Sequence, residues 1–395
     1  MPAWGTWPSS LSGRATLAAA GPATGGIVER IRRVGPISFD DYLDTALYGH
    51  NGFFTRGAGA GRRGHFLTSP EVGALFANLV ARALDSWWTS LGRPDPFLVA
   101  EVGAGTGTLA AGIRRAGPAC AKALRYVLVE RTAALRERHG QHLSLEPPST
   151  LLRAGPDVDP EADPLVGTGP RFASLAQLPG QPFVGVVLAN ELLDNMALVL
   201  LQRSRTGWLE VRVGEKGGDL VEVLVPAAPP LAAEADRLVL HARPGGRIPL
   251  QHRARSWLGQ ALARVERGLV VVIDYTATTP LLATRPWEEW LRTYRAHHRG
   301  EHPLSRSGAQ DVTCEVAVDQ LALVRRPSTD RSQAEFLAAH GLEELVESAR
   351  ATWWERASSG DLEALRARSL VGEAEALTDP AGLGAFRVLE WETTT

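Results

Sequence analysis

The sequence predicts an α/β fold: a Rossmann-like domain with a mostly parallel, doubly wound sheet that carries helical and β-hairpin insertions. Two observations predict it. Short apolar segments of strand length alternate with helical segments, as in folds whose parallel strands are covered on both faces. A turn containing Gly103, Gly105 and Gly107 joins the first of these strands to a helix, and such turns are where these folds bind nucleotide-like ligands.

The N-terminal part, residues 27–92, is predicted to be a helical segment that contains a glycine-rich loop. Apolar residues recur at helical spacing over Ile27–Leu47, with Ser38 as a helix N-cap. After the glycine-rich loop, Ser69 as N-cap and Pro70 at the first helical position begin another helix, whose apolar residues continue at helical spacing. We expect one face of this helix to be buried.

The predicted strands are short and apolar. They cover Phe97–Val102, Tyr126–Val129, Phe183–Ala189, Leu198–Gln202 and Leu269–Ile273. A helix is predicted at Leu109–Ala116. Trp208–Val213 and Leu220–Val225 flank Gly217-Gly218 instead, which is typical of an antiparallel hairpin. The segment from 141 to 170 is rich in Pro, Gly and Asp and is predicted to be a surface loop.

Composition excludes several classes of function. Arginine supplies nearly all of the positive charge, since Lys122 and Lys216 are the only lysines. These arginines are interspersed with acids and form no basic stripe, so nucleic acid is not a predicted partner. The only cysteines, Cys120 and Cys314, form no CxxC pair, and we predict neither disulfides nor a metal site.

Nothing in the chain predicts a membrane protein. No segment approaches the roughly twenty apolar residues of a membrane span, and the first residues lack the apolar run of a secretory signal. The 395 residues are 44% hydrophobic and 22% charged, with a formal net charge of -2, which is ordinary for a globular protein. We therefore expect a cytoplasmic protein, and the oligomeric state is left open.

The glycine turn predicts the class of ligand. A dinucleotide fingerprint needs glycine at 103, 105 and 108, but position 108 is Thr. Glycines at 103, 105 and 107 behind the acid Glu101 match the first methyltransferase motif and favour S-adenosylmethionine over NAD. Glu130 ends the next strand, where a carboxylate accepts hydrogen bonds from ribose hydroxyls. The candidate cofactor-binding residues here are Glu101, Gly103, Ala104, Gly105, Gly107, Thr108, Leu109 and Glu130.

A second group of polar residues follows the strand at Phe183–Ala189. Asn190, Glu191 and Asp194 come where that strand ends, and ligands bind beyond the carboxyl ends of such strands. These three are the candidate catalytic residues: the two acids would hold an acceptor amine and remove its proton. Alternatively, they are acids of a first helical turn that complement the helix dipole.

Several motifs in order resemble the MidA-like methyltransferases, a family that includes mitochondrial complex I assembly factors. The resemblance extends over roughly residues 27 to 345. It is carried by Gly52-Phe53-Phe54, Gly64–Glu71, Glu101–Leu109 and Asn190–Asp194, and further by Pro244–Arg247, Ile273–Tyr275, Tyr294-Arg295 and Asp311–Thr313. It implies a class I methyltransferase fold that uses S-adenosylmethionine, with Thr68 and Glu71 close to the cofactor. For the mitochondrial members the implied reaction is protein arginine methylation, on a core subunit of respiratory complex I.

The chain departs from the family pattern mainly around the methyl-acceptor pocket. His65 stands where the family usually has Asp, Phe53 and Phe54 replace aromatics with hydroxyls, and Asn195-Met196-Ala197 replaces Ala-Leu-Pro. The cofactor turn reads Ala-Gly-Thr-Gly where Pro-Gly-Arg-Gly is common. A catalytically degenerate, cofactor-binding assembly protein is therefore an alternative, as is a small-molecule methyltransferase; an NAD-dependent oxidoreductase is a weaker one.

Together these patterns predict the domain plan. Residues 1–26 form a flexible tail, and 93–275 form the S-adenosylmethionine-binding core with a β-hairpin insertion near 205–250. Residues 276–395, with helices at Gln333–Ala339 and Leu342–Trp354, pack on the core and help to form the acceptor cleft.

Overall fold

The computed structural model describes residues 20–57, 68–152, 166–296, 298–356, 358 and 360–394. Its helices are α1 (Thr24–Val34), α2 (Phe39–Tyr48), α3 (Ser69–Val72), α4 (Ala74–Ser90), α5 (Thr108–Ala116), α6 (Ala133–His139), α7 (Pro148–Leu151), α8 (Pro229–Leu238), α9 (His252–Arg264), α10 (Thr279–Thr284), α11 (Val318–Leu321), α12 (Gln333–Ala339), α13 (Leu342–Arg356) and α14 (Leu362–Thr378). Most of the predicted tail, most of the glycine-rich loop and part of the predicted loop at 141–170 lie outside the described residues.

The strands are β1 (Ile37–Ser38), β2 (Phe97–Val102), β3 (Leu124–Val129), β4 (Arg171–Leu175), β5 (Phe183–Asn190), β6 (Val199–Arg203), β7 (Trp208–Lys216), β8 (Asp219–Pro226), β9 (Arg247–Leu250), β10 (Val265–Asp274), β11 (Thr276–Ala277), β12 (Leu291–Arg295), β13 (His298–Arg299), β14 (Asp311–Cys314), β15 (Val316–Ala317), β16 (Thr329–Ser332) and β17 (Arg387–Thr393).

Seven strands form the central sheet, in the order β4-β3-β2-β5-β10-β17-β16. The first five run parallel, and β17 is antiparallel to both of its neighbours. The chain goes from β2 outward to β3 and β4, and then returns to the other side of β2 with β5. The carboxyl ends of β2 and β5 therefore form the switch point at which open α/β sheets bind ligands. The predicted Rossmann-like α/β fold is confirmed.

The parallel strands inside the sheet, β2, β3, β5 and β10, are buried on both faces over most of their length. Val99 and Val186 pack in an apolar layer with helices α4, α5 and α12, whereas Ala100 and Val187 pack in a second layer with α9. Successive side chains of a strand point to opposite faces, so a strand covered on both sides must be apolar at nearly every position. This explains the continuous apolar runs of the sequence.

A second, antiparallel sheet contains β1 and β6–β9 and packs against α1 and α2. Strands β7 and β8 are the predicted hairpin, and Gly217 and Gly218 at its turn have φ values of +64° and +94°, as a two-residue turn requires. The strand predicted at Leu198–Gln202 exists as β6, but its placement with the parallel strands is wrong, because β6 pairs antiparallel with β7 and β9. Leu200 and Leu201 are buried on its two faces, and burial alone does not reveal which strand is the neighbour.

The segment Ile27–Leu47, with its helical spacing of apolar residues, contains parts of two helices, α1 and α2, which are separated by β1. Ser38 caps α2 as predicted, since its Oγ accepts a hydrogen bond from the Asp41 backbone N–H at 3.1 Å. Helix α1 begins at Thr24, so regular structure starts before the boundary predicted at residue 27. The helix predicted after Pro70 is divided by Gly73 into α3 and α4.

The C-terminal region completes the central sheet. Strands β16 and β17 belong to it, so the predicted end of the core at residue 275 is too early. Helix α12 has the predicted bounds, and α13 extends two residues beyond the predicted Trp354. Within the described ranges, no helix has the length and apolar character needed to cross a membrane.

Candidate cofactor and acceptor site

A cavity of about 660 Å³ lies at the carboxyl ends of β2, β3 and β5, within the size range of small-molecule sites. Most of the predicted site residues line it: Thr68, Glu71, Glu101, Gly103, Ala104, Gly105, Thr108, Leu109, Glu130, Asn190 and Glu191. Two predicted residues, Gly107 and Asp194, are not among its lining residues. The folded chain thus brings together segments that are more than a hundred residues apart in sequence.

The turn between β2 and α5 approaches the cavity with its backbone. Gly105 has a φ of +55°, and a Cβ added to it meets nothing closer than the Gly103 carbonyl oxygen, 4.0 Å away. Because Gly105 lines the cavity, that Cβ would occupy ligand space. Gly103 has a packing role instead, since an added Cβ would lie 2.8 Å from Cδ1 of Leu192. A bare backbone beside an open cavity fits a ligand held by backbone groups, as S-adenosylmethionine requires.

Gly107 and His139 support this turn from behind. Gly107 is the left-handed N-cap of α5 and packs against Leu128 and His139. The buried His139 donates from Nε2 to the Gly105 carbonyl oxygen at 3.0 Å, and its Nδ1 lies 2.9 Å from Ser174 Oγ. Burial lowers the pKa of His139, so the neutral ring accepts from the serine. A single histidine in a helical segment gave no sequence signal for this role.

Two carboxylates lie under the turn. Glu101 is 5% exposed and accepts a hydrogen bond from Tyr126 at 2.9 Å, and its burial raises its pKa to about 8. Glu130 accepts from the backbone N–H groups of Gly105 at 3.1 Å and Thr132 at 2.8 Å, and burial raises its pKa too. Glu130 also lines the cavity, which suits a carboxylate expected to accept from ribose hydroxyls.

Helix α3 approaches the same turn from the N-terminal side. Thr108 donates its hydroxyl hydrogen to Glu71 at 2.8 Å, which ties α3 to the start of α5. The N-cap of α3 is Thr68 and not Ser69 as predicted. The Ser69 hydroxyl donates instead to Gln333, at 2.9 Å.

Asn190 and Glu191 form the wall of the cavity where β5 ends. Glu191 has a φ of +50°, and its Oε1 accepts from the Ser69 backbone N–H at 3.0 Å and from Asn190 Nδ2 at 3.2 Å. Burial and the charge of Asp194 raise the pKa of Glu191 to about 8. The Asn190 Oδ1 is buried and has no hydrogen-bond partner among the described residues. Buried polar atoms normally have partners, so this oxygen is an acceptor that no described residue fills.

Asp194 lies behind this wall, which corrects its predicted place among the acceptor residues. Its Oδ2 accepts from the Tyr275 hydroxyl at 2.5 Å. Asp274 accepts from the backbone N–H of Asp194 at 3.4 Å, and Asn195 donates to Asp311 at 2.9 Å. Burial raises the pKa of Asp194 to about 6 and those of Asp274 and Asp311 as well. The cluster fixes the turn after β5, and of its members only Asn195 is among the described residues that line the cavity.

The far end of the cavity is formed by residues that the sequence did not single out. Asp44 and Tyr48 of α2 and Arg253 of α9 line it, with Arg131. Asp44 pairs with Arg131 at 2.8 Å and with Arg253 at 2.9 Å, and the Arg131 guanidinium lies 4.5 Å from the centre of the Tyr48 ring. Phe54, which stands where the family usually has an aromatic residue with a hydroxyl group, also lines the cavity. Among the described residues, no group of three or more His, Cys, Asp or Glu side chains is arranged to hold a metal ion.

The chain is similar to known proteins over most of its length. A Drosophila melanogaster relative, the mitochondrial protein arginine methyltransferase NDUFAF7 homolog, is 26% identical over 303 residues, 73% of this chain and 66% of the relative. The Homo sapiens NDUFAF7 is 28% identical over 218 residues, 52% of this chain and 49% of the relative. The chain thus spans about half to two thirds of the length of these curated relatives.

A crystal structure from Burkholderia thailandensis, bound to S-adenosyl-homocysteine, shares the fold with a TM-score of 0.75, at 24% identity over 95% of both chains. Residues 79–335, more than half of the chain, match the family model described as "Putative S-adenosyl-L-methionine-dependent methyltransferase". With this match, and with a glycine turn that leaves room for the cofactor, the chain belongs to this family of S-adenosyl-L-methionine-dependent methyltransferases.

Proposed function

We propose that this protein transfers a methyl group from S-adenosylmethionine to a guanidinium nitrogen of an arginine in a protein. The observation that carries the proposal is the pair that Asn190 and Glu191 form at the cavity: an amide whose Oδ1 has no partner in the described part of the chain, and a carboxyl group whose pKa is raised to about 8. A nitrogen acceptor needs a hydrogen-bond acceptor to orient its N–H and a base to take its proton. The names of the relatives, protein arginine methyltransferases, support the same acceptor.

The cofactor supplies an electrophilic methyl carbon on a sulfonium, which a nitrogen lone pair attacks as sulfur keeps the electrons of the C–S bond. The residues of the chain orient the nitrogen and remove its proton. Asn190 Oδ1 accepts one N–H of the guanidinium, and a Glu191 oxygen accepts the N–H whose proton is lost. A base with a pKa near 8 is well matched to proton transfer near neutral pH. The excess proton on the methylated nitrogen thus passes to Glu191.

The charge of the cavity suits a cationic acceptor. Glu71 and Glu191 line it, whereas Asp44 and the Tyr48 ring, which line it too, already contact Arg131. Carboxylates and aromatic faces are the groups that bind guanidinium. The resemblance to the mitochondrial members suggests a core subunit of respiratory complex I as the first protein to test.

The first experiment measures cofactor binding and transfer separately. Calorimetry with S-adenosylmethionine and S-adenosylhomocysteine, with NAD as control, should give micromolar binding of the sulfur compounds alone. Transfer of a labelled methyl to arginine-containing peptides is then compared for the wild type, Glu191→Gln, Asn190→Ala and the exposed control Glu347→Gln.

We expect Glu191→Gln to bind the cofactor within about twofold of the wild type and to lose roughly 10²-fold or more in transfer rate, the usual size of a general-base contribution. Binding without transfer in the wild type, to any protein or peptide, would favour the degenerate assembly protein. No binding of either sulfur compound would contradict the assignment of this cavity to the cofactor.

A further inference from the structure

The C-terminal region lines no part of the cavity, whose described lining residues all precede residue 265. It nevertheless reaches Glu191 through one residue. The Ser69 backbone N–H donates to Glu191 Oε1 at 3.0 Å, and the Ser69 hydroxyl donates to Gln333 Oε1 at 2.9 Å. Ser69 and Gln333 are both fully buried, so no water competes for these bonds.

Gln333 is itself fixed at both ends. It is the first residue of α12, and its backbone N–H donates to the Phe386 carbonyl oxygen at 2.6 Å. Its Nε2 donates to the Leu377 carbonyl oxygen, at the end of α14, at 3.1 Å. Since Nε2 is committed to this carbonyl, Oε1 must face Ser69. The side-chain amide therefore bridges α14 and α3.

A second contact holds the other end of α3. Glu373 of α14 accepts from the Leu75 backbone N–H at 2.9 Å. Its carboxylate lies directly over Gly73, where an added Cβ would be only 2.0 Å from Glu373 Cδ. Helix α3 has four residues and is too short to be stable alone. Two side chains of the C-terminal region therefore help to hold it, together with the hydrogen bond between Thr108 and Glu71.

Glu191 needs such support because its own backbone is strained. A φ of +50° is unfavourable for a residue with a Cβ, and such outliers persist where surrounding contacts hold them. The Glu191 backbone N–H donates to the Ile273 carbonyl oxygen at 2.8 Å, but within the described ranges its carboxylate is oriented by only two donors, the Ser69 N–H and Asn190 Nδ2.

We propose that Gln333 is a positioning residue that acts through Ser69: it holds the Ser69 N–H against the Glu191 carboxylate and so sets the orientation and basicity of that group. The role of Glu191 in catalysis rests on the function proposed above, but its contact with Ser69 does not. The Ser69 N–H favours the charged carboxylate. Loosening this bond therefore raises the pKa of Glu191 further and moves the acidic limb of the rate profile to higher pH.

The test compares Gln333→Met with a matched control, Gln320→Met. Gln320 is also fully buried and bonds Gln251, Pro249 and Thr279, so both variants lose a buried amide network of similar size. We expect both proteins to be less stable, but only Gln333→Met to lose roughly 3–10-fold in kcat near pH 7, the value of about one hydrogen bond. The KM for S-adenosylmethionine should stay within about twofold, and the loss in kcat should shrink above pH 9.

Ser69→Ala and the double variant Ser69→Ala/Gln333→Met then test the route. If Gln333 acts through the Ser69 hydroxyl, the double variant shifts the pH profile about as much as either single variant, because all three remove one interaction. Additive shifts would show that Gln333 acts by another route and would overturn the proposal.

A readout without turnover separates this proposal from the proposed function. In protein labelled with carbon-13 at glutamate Cδ, the resonance missing in Glu191→Gln reports the titration of Glu191. Its midpoint should rise by roughly half a unit to one unit in Ser69→Ala and Gln333→Met and stay unchanged in Gln320→Met. An unchanged midpoint in Ser69→Ala and Gln333→Met overturns the positioning role even if the enzyme is active. If the midpoint shifts in these two variants but the wild type transfers no methyl group, only the proposed function is rejected.

Discussion

In the glycine turn, one added methyl group should weaken cofactor binding without preventing folding. We expect Gly105→Ala to weaken S-adenosylmethionine binding at least about tenfold, which corresponds to 1.4 kcal/mol, while the protein still folds. Among the described residues, the added Cβ has no neighbour closer than the Gly103 carbonyl oxygen, 4.0 Å away, so it fits into the folded chain. It projects into the cavity that Gly105 lines and displaces a ligand held against the backbone there.

The two glycines of the turn differ in their expected effect on stability. At Gly105 the only penalty is the left-handed backbone, with a φ of +55°, which costs an L-residue about 1–2 kcal/mol. At Gly103 the φ is +75°, and an added Cβ also overlaps Leu192 Cδ1 at 2.8 Å, which adds roughly 1–3 kcal/mol of overpacking. Gly103→Ala should therefore be the less stable of the two variants by about that difference.

Urea denaturation of both variants measures the free energy of unfolding, and calorimetric titration measures their affinity for S-adenosylmethionine. Gly140→Ala is the matched control, because Gly140 has a φ of −66° and open space around its Cα, and this variant should bind and fold like the wild type. Wild-type affinity in Gly105→Ala would refute the conclusion that the cofactor lies against this turn. Equal stability of Gly103→Ala and Gly105→Ala would refute the assignment of separate roles to the two glycines.

Three further outcomes are expected. Burial raises the pKa of Glu101 to about 8, against 4.5 for the free side chain, so its contribution to stability is complete below pH 4.5 and is lost as pH rises to 8. In urea denaturation, the free energy of unfolding should therefore decline less between pH 5 and pH 8 in Glu101→Gln than in the wild type. An equal decline would contradict this. His139→Ala leaves the Gly105 carbonyl and Ser174 without their buried partner, so it should lower the free energy of unfolding by roughly 1–3 kcal/mol and weaken S-adenosylmethionine binding in calorimetry. Unchanged affinity would show that the turn keeps its shape without His139. Glu191→Gly should be about 1 kcal/mol more stable to urea than Glu191→Ala, because only glycine adopts the φ of +50° without strain; equal stabilities would mean that the turn relaxes in both variants.

The central fold was predictable because its signals are local. The strand predicted at Phe97–Val102 has the observed bounds, since burial on both faces forces a continuous apolar run that ends where the glycine turn begins. Strand β6 was located as well, but not its sheet. Its apolar pattern indicates that it is buried. Its pairing with β7 and β9 depends on the hairpin and on the path of the chain, and sequence periodicity contains no information about either.

Ser69 shows why local rules fail at the site. A serine before a proline and a glutamate is a good N-cap, yet the cap falls at Thr68 and the Ser69 hydroxyl bonds Gln333, which is 264 residues away. A contact of this kind depends on two short helices that meet only in the folded chain. The same holds for Asp44, whose pairing with Arg131 and Arg253 joins three separate elements at the cavity.

Glu191 and Asp194 explain the remaining error. Their spacing places both on one side of a regular helix, but β5 is followed by a left-handed residue, Glu191, and then by a single 3-10 turn at Leu193–Asn195. This backbone keeps Glu191 at the cavity and turns Asp194 back toward Tyr275 and Asp274. The left-handed backbone at Glu191 thus accompanies a separation of the two acids: Glu191 lines the cavity, whereas Asp194 bonds to Tyr275 behind the turn that follows β5. A sequence pattern that assumes regular structure will assign both acids to the same role wherever the first of them has such a strained backbone.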